Sequence, residues 1–247
     1  MKRPRIVVVG SANMDLVTRV PRCPRPGETL IGASFQTVPG GKGANQAVAA
    51  ARLGAETTFI GCVGADAFGT LLRDGLASER IDVSHLKVHP EVSSGTATIL
   101  VGEDGQNTIV VAPCANYELL PEDIELSAPV FEKADAVLVQ LEIPLGTVMA
   151  ALAMAKRWGV PSVLDAGPAQ QVPEEILRKA TFVSPNETEA EAITGIRIDA
   201  FDDAQRAADR IQEAGVEHVV MKLGAAGSLY VGPVENIRMP AFAITPV

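Results

Sequence analysis

Residues 38–54, VPGGKGANQAVAAARLG, join an extended segment to an alanine-rich run through a turn with three closely spaced glycines. The turn is not a nucleotide P-loop, because that motif has a glycine five positions before its Gly-Lys pair and Ser or Thr after the lysine. Here Gln36 stands at the first of these positions, and Gly43 follows Lys42. The first apparent strand, RIVVVG, also lacks the G-x-G-x-x-G continuation of a dinucleotide-binding fold. What remains is a strand, a glycine-rich turn and a helix that a ligand can approach closely.

Outward from this turn, short β-branched runs alternate with helix-like segments along the chain. The predicted strands are residues 5–10, 57–64, 136–142, 161–167, 181–186 and 218–224. The predicted helices are residues 44–53, 68–79, 145–158, 173–179, 187–194 and 202–214. This alternation predicts an α/β fold, with a mostly parallel central sheet flanked by helices. Ligands of such sheets bind at the carboxyl ends of the strands, so polar residues there are candidates for function.

Two segments interrupt the alternation. Residues 93–113, SSGTATILVGEDGQNTIVVAP, read as two strands joined by a turn with an Asp-Gly signal. A second extended stretch covers residues 30–38. We expect both to form a small β-layer outside the main sheet, which could be a lid, a dimer surface or a flap without function.

Composition limits the class of protein. The 247 residues carry a net charge of −9, which argues against nucleic acid as a partner, because nucleic-acid binding depends on Lys and Arg that neutralise phosphates. Cys23, Cys62 and Cys114 form no C-x-x-C pair, so reduced thiols are expected. No segment approaches the roughly 18 apolar residues of a membrane span. The sequence is therefore expected to be one cytoplasmic enzyme domain.

The glycine turn is the first candidate site. Gly41 and Gly43 can bring the backbone close to a ligand, and the following helix directs free N–H groups to the same place. Lys42 adds a cation, and Asn45 adds an amide that both donates and accepts. A plain connection between strand and helix is the alternative interpretation.

Polar residues after two predicted strands form a second group. Asn13 and Asp15 follow the first strand, where they could bind ligand hydroxyls or cap a turn. Glu142 ends an apolar run, and acids are rarely buried unless they are paired. We interpret Glu142 as a candidate site residue.

Two further segments each have two interpretations. Asn186 and Glu189 have the spacing of a helix capping box, but the same spacing could present an amide and a carboxylate to a nucleotide phosphate or a hydrated Mg²⁺. Residues 219–231, VVMKLGAAGSLYV, could form a plain hairpin or a turn that receives an adenine nucleotide.

Together these motifs resemble the PfkB (ribokinase) family of sugar kinases over essentially the whole chain. The matching motifs, in family order, are GSANMD, GGKGANQAVAAARLGA, GCVGADAFG, QLEIP, SPNETEAEAITG and KLGAAG. The resemblance implies a three-layer α/β fold with a small β-sheet lid. It also implies ATP-dependent phosphorylation of D-ribose to D-ribose 5-phosphate. Kinases of 2-deoxyribose, 2-keto-3-deoxygluconate or nucleosides, and a non-catalytic sugar-binding protein, remain alternatives.

The resemblance also implies roles for individual residues. The residues expected to contact the sugar are Asn13, Met14, Asp15, Gly41, Lys42, Gly43, Ala44, Asn45 and Glu142. The residues expected to contact ATP are Asn186, Lys222, Leu223, Gly224, Ala225, Ala226 and Gly227. Glu189 would meet Mg²⁺ through water. Lid segments near residues 14–38 and 94–112 would cover the sugar and form a homodimer.

The sequence departs from the family pattern at three places. Lys222 stands where a hydroxyl residue is frequent, and LDAGPA replaces the more usual LNPAPA. In the family, the segment resembling MPAFAITPV leads into an Asp-Thr-x-Gly-Ala-Gly-Asp block that carries the catalytic aspartate and ligands of K⁺ or another monovalent cation. That block would follow Val247, so we expect residues 1–247 to be a single, C-terminally incomplete domain without useful kinase activity. Asp165 lies at a strand end but has no motif support as a substitute base.

Overall fold

A computed structural model describes residues 3–243 of the chain. The strands in this range are β1 (Arg5–Val9), β2 (Asn13–Arg19), β3 (Ser34–Gly40), β4 (Glu56–Gly64), β5 (Leu86–His89), β6 (Gly95–Val101), β7 (Asn107–Ala112), β8 (Ala136–Gln140), β9 (Ser162–Asp165), β10 (Phe182–Ser184), β11 (His218–Lys222), β12 (Ser228–Val231) and β13 (Asn236–Met239). The α-helices are α1 (Lys42–Arg52), α2 (Ala67–Ser78), α3 (Pro121–Leu126), α4 (Ala128–Glu132), α5 (Leu145–Arg157), α6 (Glu174–Leu177), α7 (Glu187–Thr194) and α8 (Phe201–Glu213). The α/β prediction is confirmed, because the six predicted strands correspond to β1, β4, β8, β9, β10 and β11.

The described residues group into two compact units, and the single ribokinase-like domain of the sequence analysis stays a prediction. Among the described residues, the first unit comprises Val8–Leu120, Glu142–Pro144 and residues 3–4. The second comprises Arg5–Val7, Pro121–Leu141 and residues 145–243.

In the first unit, the end of β1 is followed by β4 and then by β5 in the larger sheet, and β4 pairs with β5 in parallel. Almost all of β4 is buried, as is usual for a strand of a parallel sheet that is covered on both faces. Helix α2 is capped at its N-terminus by Asp66, whose carboxylate accepts the Gly69 N–H at 2.7 Å. Its buried residues, Leu72 and Leu76, are one turn apart and form the apolar face of the helix.

The first unit also contains a smaller, four-stranded sheet in the order β3-β2-β6-β7. Strand β2 is central: it pairs antiparallel with β3 and parallel with β6. Strand β7 pairs antiparallel with β6 and is exposed along its whole length. These strands overlap the two segments that the sequence analysis predicts as a lid.

In the second unit, the larger sheet has the order β13-β12-β11-β10-β9-β8, and the first residues of β1 follow β8. The pairs from β8 to β11 are parallel, whereas β12 and β13 are antiparallel. Helix α8 buries Ala204, Ala207, Ala208 and Ile211, which recur at helical spacing and face the core. No helix within residues 3–243 is long and apolar enough to cross a membrane.

Candidate active site

The glycine turn of the first unit packs against the segment that joins β1 to β2. Gly41 has a φ of 93°, and a Cβ there would lie 2.8 Å from the Asn13 nitrogen. A Cβ on Gly43 would lie 2.7 Å from the Ser11 nitrogen. Real side chains do not fit at such distances, so the glycines let the start of α1 approach the β1–β2 backbone. Close packing therefore accounts for these two glycines, and contact with a ligand stays a prediction.

Glu142 is tied to the first turn of α1. Its Oε2 accepts the Lys42 N–H at 3.1 Å and a short hydrogen bond from the Ser11 hydroxyl. The Ser11 hydroxyl also accepts the Gly43 N–H at 3.5 Å. A carboxylate at this position is favoured by the positive end of the helix dipole, and the two hydrogen bonds orient the Glu142 side chain.

Asn13 and Asp15 are two residues apart on β2, so their side chains lie on the same face of the strand. The Asp15 carboxylate lies over Gly40 of the neighbouring strand β3, where a Cβ would collide with it. Burial, and then the negative charge of Glu142, raise the pKa of Asp15 above its ordinary value of 3.8. Two carboxylates and one amide therefore share one end of β2.

The other residues predicted to contact the sugar occupy different surroundings. Met14 alternates with Asn13 on β2 and is 2% exposed, so its side chain belongs to the core. Ala44 is also buried, and its N–H donates to the Ser11 carbonyl at 2.9 Å. Asn45 is exposed on the first turn of α1. The structure thus groups Asn13, Asp15 and Glu142 with the glycine turn and places the Met14 and Ala44 side chains in the core.

In the second unit, Asn186 and Glu189 form the capping box of α7. Asn186 Oδ1 accepts the Glu189 N–H at 2.8 Å, and Glu189 Oε2 accepts the Asn186 N–H at 2.8 Å. This structural interpretation of the SPNETEAEAITG motif is therefore correct. The capping box does not use all the hydrogen-bonding groups of the two residues, because it takes Oδ1 of Asn186 and leaves the Asn186 NH₂ group outside the box.

Lys222 connects the cap to a second carboxylate. Its Nζ lies 2.9 Å from Asp165 Oδ1 and 3.4 Å from Glu189 Oε2. Strand order explains the meeting: Asp165 ends β9, Lys222 ends β11, and these carboxyl ends lie at one edge of the sheet. The Glu189 side chain is only 5% exposed, so the ammonium balances a charge that is nearly buried. Both departures from the family pattern in this unit, at Asp165 and Lys222, thus contact each other.

The donor set of this cluster fits a hydrated Mg²⁺. Magnesium keeps several waters and is usually held by one or two carboxylates together with substrate phosphates. Glu189 and Asp165 supply carboxylates of this kind. Within residues 3–243, no three acidic, histidine or cysteine side chains come together as a metal cage. Any divalent cation here would therefore need ligands from water and nucleotide.

The predicted nucleotide turn is an antiparallel hairpin between β11 and β12. Gly224–Ala226 form a 3-10 turn that is exposed to solvent, and Gly227 has a φ of 93°. Leu223 is buried, and its N–H donates to the Gly227 carbonyl at 2.8 Å. The exposed backbone of the turn is available to a ligand, whereas the Leu223 side chain is part of the core.

Three polar residues beside these clusters had no role assigned from the sequence. Ser11 is fully buried and holds Glu142, and Asn116 is buried against Ala12 and Asn13. Asp165 holds Lys222. Ser11 lies inside the GSANMD motif, and Asp165 ends a strand, so the sequence position of these two residues could have indicated a role near the site. Asn116 lies in none of the quoted motifs, and its partners are up to 104 positions away.

Comparison with known proteins supplies the family. The model of the family described as pfkB family carbohydrate kinase matches residues 3–247. The ribokinase of Haemophilus influenzae is 42% identical over 225 residues, which cover 91% of this chain and 74% of the relative. The deoxyribokinase of Salmonella typhi is 35% identical over 243 residues, which cover 98% of this chain and 79% of the relative.

A solved structure gives the same result for the fold. The structure of Arabidopsis thaliana ribokinase complexed with ribose and ATP superposes with a TM-score of 0.87 at 34% identity, covering 97% of this chain and 78% of that one. The family model spans nearly the whole sequence, and the sequence resemblance is confirmed. The chain belongs to the pfkB family of carbohydrate kinases.

Proposed function

We propose that the protein is a kinase that uses ATP to phosphorylate D-ribose at its 5-hydroxyl, giving D-ribose 5-phosphate. The observation that carries the proposal is the cluster of Asn13, Asp15 and Glu142 around the glycine turn. A small polyhydroxyl ligand suits it, because each hydroxyl can donate to a carboxylate and accept from an amide or a backbone N–H. The names of the relatives, ribokinase above all, support ribose as that ligand.

The second unit is proposed to bind Mg·ATP. Asn186 and the turn Gly224–Ala226 with its flanking residues Lys222, Leu223 and Gly227 would contact the nucleotide, and Glu189 would meet Mg²⁺ through water. When bound, Mg²⁺ supplies charge neutralisation to the phosphates. The Lys222 ammonium is the cation at this cluster that would contact a phosphate oxygen. A requirement of the full-length protein for K⁺ or another monovalent cation is part of the proposal. It is checked by measuring ribose-dependent ADP formation after K⁺ is replaced with a bulky organic cation.

We also propose a homodimer formed through the smaller sheet. Four apolar side chains on its outer strands are strongly exposed: Phe35, Ile109, Val110 and Val111. By strand register, Phe35 and Val110 lie on one face of this sheet and Ile109 and Val111 on the other, and exposed apolar side chains that share a face mark an interaction surface. Sedimentation of the protein and of V110K tests this, since the charged variant should be monomeric at concentrations where the parent protein is dimeric. A cytoplasmic location stays a prediction.

Two alternatives have their own support. The similarity to a deoxyribokinase keeps 2-deoxyribose as a candidate substrate. A non-catalytic sugar-binding protein is the other alternative, because the clusters around Asn13 and Glu142 could bind a sugar without transferring phosphate to it. Affinities for ribose, 2-deoxyribose and a nucleoside, measured side by side, separate the substrates, and tighter binding of 2-deoxyribose would overturn the ribose assignment.

Ribose-dependent ADP formation tests transfer itself. We expect residues 1–247 alone to show no turnover above their background ATPase rate, because the family block that carries the base and the anion-hole glycines is not among these residues. The matched assay uses this chain followed by the corresponding C-terminal segment of the Haemophilus influenzae ribokinase. Production of ribose 5-phosphate by that fusion is the expected result, and its absence from a folded fusion that binds ribose and ATP would favour the non-catalytic alternative.

A further inference from the structure

Asn116 is a buried polar residue that the sugar and nucleotide clusters leave unexplained. It lies in the 3-10 turn Cys114–Glu118 and is 1% exposed. Burial of an amide is costly unless its donors and acceptor find partners. The hydrogen bonds of its side chain go to Ala12 and Asn13 at the β1–β2 junction and to Pro113 beside its own turn, so its role concerns that junction.

The backbone fixes which way the Asn116 amide points. Its Oδ1 accepts the Ala12 N–H at 2.9 Å, and a backbone N–H can only donate. Its Nδ2 faces the Pro113 carbonyl at 3.0 Å and the Ala12 carbonyl at 3.3 Å, which can only accept. Reversal of the amide would place oxygen against two carbonyls and NH₂ against an N–H group. The observed orientation is therefore the one that the surrounding backbone allows.

That orientation determines the neighbouring amide in turn. Asn116 Nδ2 lies 2.7 Å from the side-chain oxygen of Asn13, which is 3% exposed. Because Nδ2 is a donor, the Asn13 atom that faces it must be the acceptor Oδ1. The NH₂ group of Asn13 is then directed away from Asn116. A second amide, 103 positions along the chain, thus decides the hydrogen-bonding character of a predicted sugar residue.

We propose that Asn116 is a positioning residue of the sugar site, which makes Asn13 a hydrogen-bond donor to one sugar hydroxyl. This inference rests on the proposed sugar-binding function. Asp15 lies on the same face of β2 as Asn13. One hydroxyl can accept from the Asn13 NH₂ and donate to the Asp15 carboxylate, so donor and acceptor in this order suit an alcohol. An Asn13 amide of the opposite orientation would present two neighbouring acceptors and lose that complementarity.

Gly95 provides a second way to perturb the same bond. It pairs with Asn13 in the parallel register of β2 and β6. A Cβ at this position would collide with both Asn116 Nδ2 and Asn13 Oδ1. Gly95→Ala therefore separates the two amides without removing either of them, whereas Asn116→Ala removes the donor. A matched control is Gly75→Ala in α2, where nothing lies within 4 Å of the added Cβ.

The experiment measures the affinities of the 247-residue chain for D-ribose and for ribose analogues that each lack one hydroxyl. In the unmodified chain, the disadvantage of an analogue is the factor by which it binds more weakly than ribose. Asn13→Ala first identifies the analogue for which this factor disappears, because its missing hydroxyl is the one that Asn13 contacts. We expect Asn116→Ala and Gly95→Ala to reduce the disadvantage of that same analogue by roughly two- to tenfold, the range of one neutral hydrogen bond. The disadvantages of the other analogues, and all those of Gly75→Ala, should not change. The double variant Asn13→Ala, Asn116→Ala should discriminate no less than Asn13→Ala alone.

If Asn116→Ala and Gly95→Ala weaken the binding of ribose and of every analogue by the same factor, the proposal is overturned, because Asn116 would then have a structural role only. Thermal unfolding of each variant identifies proteins that fail to fold, and Gly95→Ala then replaces Asn116→Ala. If the unmodified chain binds neither ribose nor any analogue, the proposed function fails. In that case, ¹⁵N spectra of the side-chain amides still report the Asn116–Asn13 contact, through slow exchange of the Asn116 NH₂ protons, so the two failures are distinguishable.

Discussion

Substitution of Gly43 by alanine should damage both stability and sugar binding. The new Cβ would lie 2.7 Å from the Ser11 nitrogen and 2.8 Å from the Gly10 Cα and carbonyl carbon. All three are backbone atoms, so no side chain can rotate out of the way. Carbon atoms in proteins normally approach to about 3.5–4.0 Å. The first turn of α1 must therefore move away from the β1–β2 segment by roughly 0.7 Å or more.

The size of this displacement sets the expected losses. Overpacking of a tight contact typically costs about 1–3 kcal/mol of unfolding free energy. The Lys42 N–H lies 3.1 Å from Glu142 Oε2, and a comparable shift would stretch that bond beyond hydrogen-bonding distance. Hydrogen bonds to charged groups contribute about 1.5–3 kcal/mol, so the misplacement of Glu142 should weaken ribose binding by roughly tenfold or more.

Urea unfolding and calorimetric titration of ribose check both losses. Gly75→Ala is the control, because Gly75 lies within α2 with open space around its Cα and should gain about 0.5–1 kcal/mol from higher helix propensity. A Gly43→Ala protein with unchanged unfolding and unchanged ribose affinity would refute the close-packing explanation of the turn.

Three further predictions concern charged groups. The pKa of Asp15 is raised in the folded protein, so its ionised carboxylate destabilises the fold at pH values above that pKa. Asp15→Asn should therefore unfold at a higher denaturant concentration than the parent protein at pH 7, and this difference should shrink towards pH 4. Ribose binding by the variant should weaken. Lys222→Thr should lower the free energy of unfolding by about 1–2 kcal/mol, because it removes the ion pairs with Asp165 and Glu189. Adding Asp165→Asn to that variant should recover part of the loss, with a coupling energy of about 1 kcal/mol in a double-mutant cycle. Strictly additive effects of the two substitutions would contradict the ion pair. Burial alone would raise the pKa of Asp66, but hydrogen bonds from its neighbours outweigh it and lower the pKa below 3.8. Asp66→Ala should therefore lower the free energy of unfolding by about 1 kcal/mol at neutral pH. The difference between the variant and the parent protein should disappear only as the pH falls through the lowered pKa of Asp66.

The larger sheet was predictable because its strands carry their own signal. Buried parallel strands such as β4 are nearly continuous apolar runs, and α8 repeats alanine at helical spacing. Strands β5 and β13 were missed: both are short, and their sequences, LKVH and NIRM, mix charged and apolar residues. Their pairing is decided by neighbours in the sheet, which a local pattern does not contain.

The residues of the sugar cluster were predictable only in part. Asn13, Asp15 and Glu142 stand at ends of apolar runs, which made them visible as candidates. Their orientation depends on Ser11 and Asn116, whose hydrogen bonds to this cluster join positions more than 100 residues apart. Spacing along the sequence cannot reveal such a contact. The Lys222–Asp165 pair has the same origin, since it depends on the order of strands in the sheet.

Calorimetric titration of D-ribose, compared with 2-deoxy-D-ribose, into the 247-residue chain is the direct test of the proposed sugar site. We expect one ribose per chain, bound more tightly than 2-deoxyribose, with the affinity for ribose reduced roughly two- to tenfold in Asn13→Ala. Absence of ribose binding to the folded chain, or tighter binding of 2-deoxyribose, would contradict it.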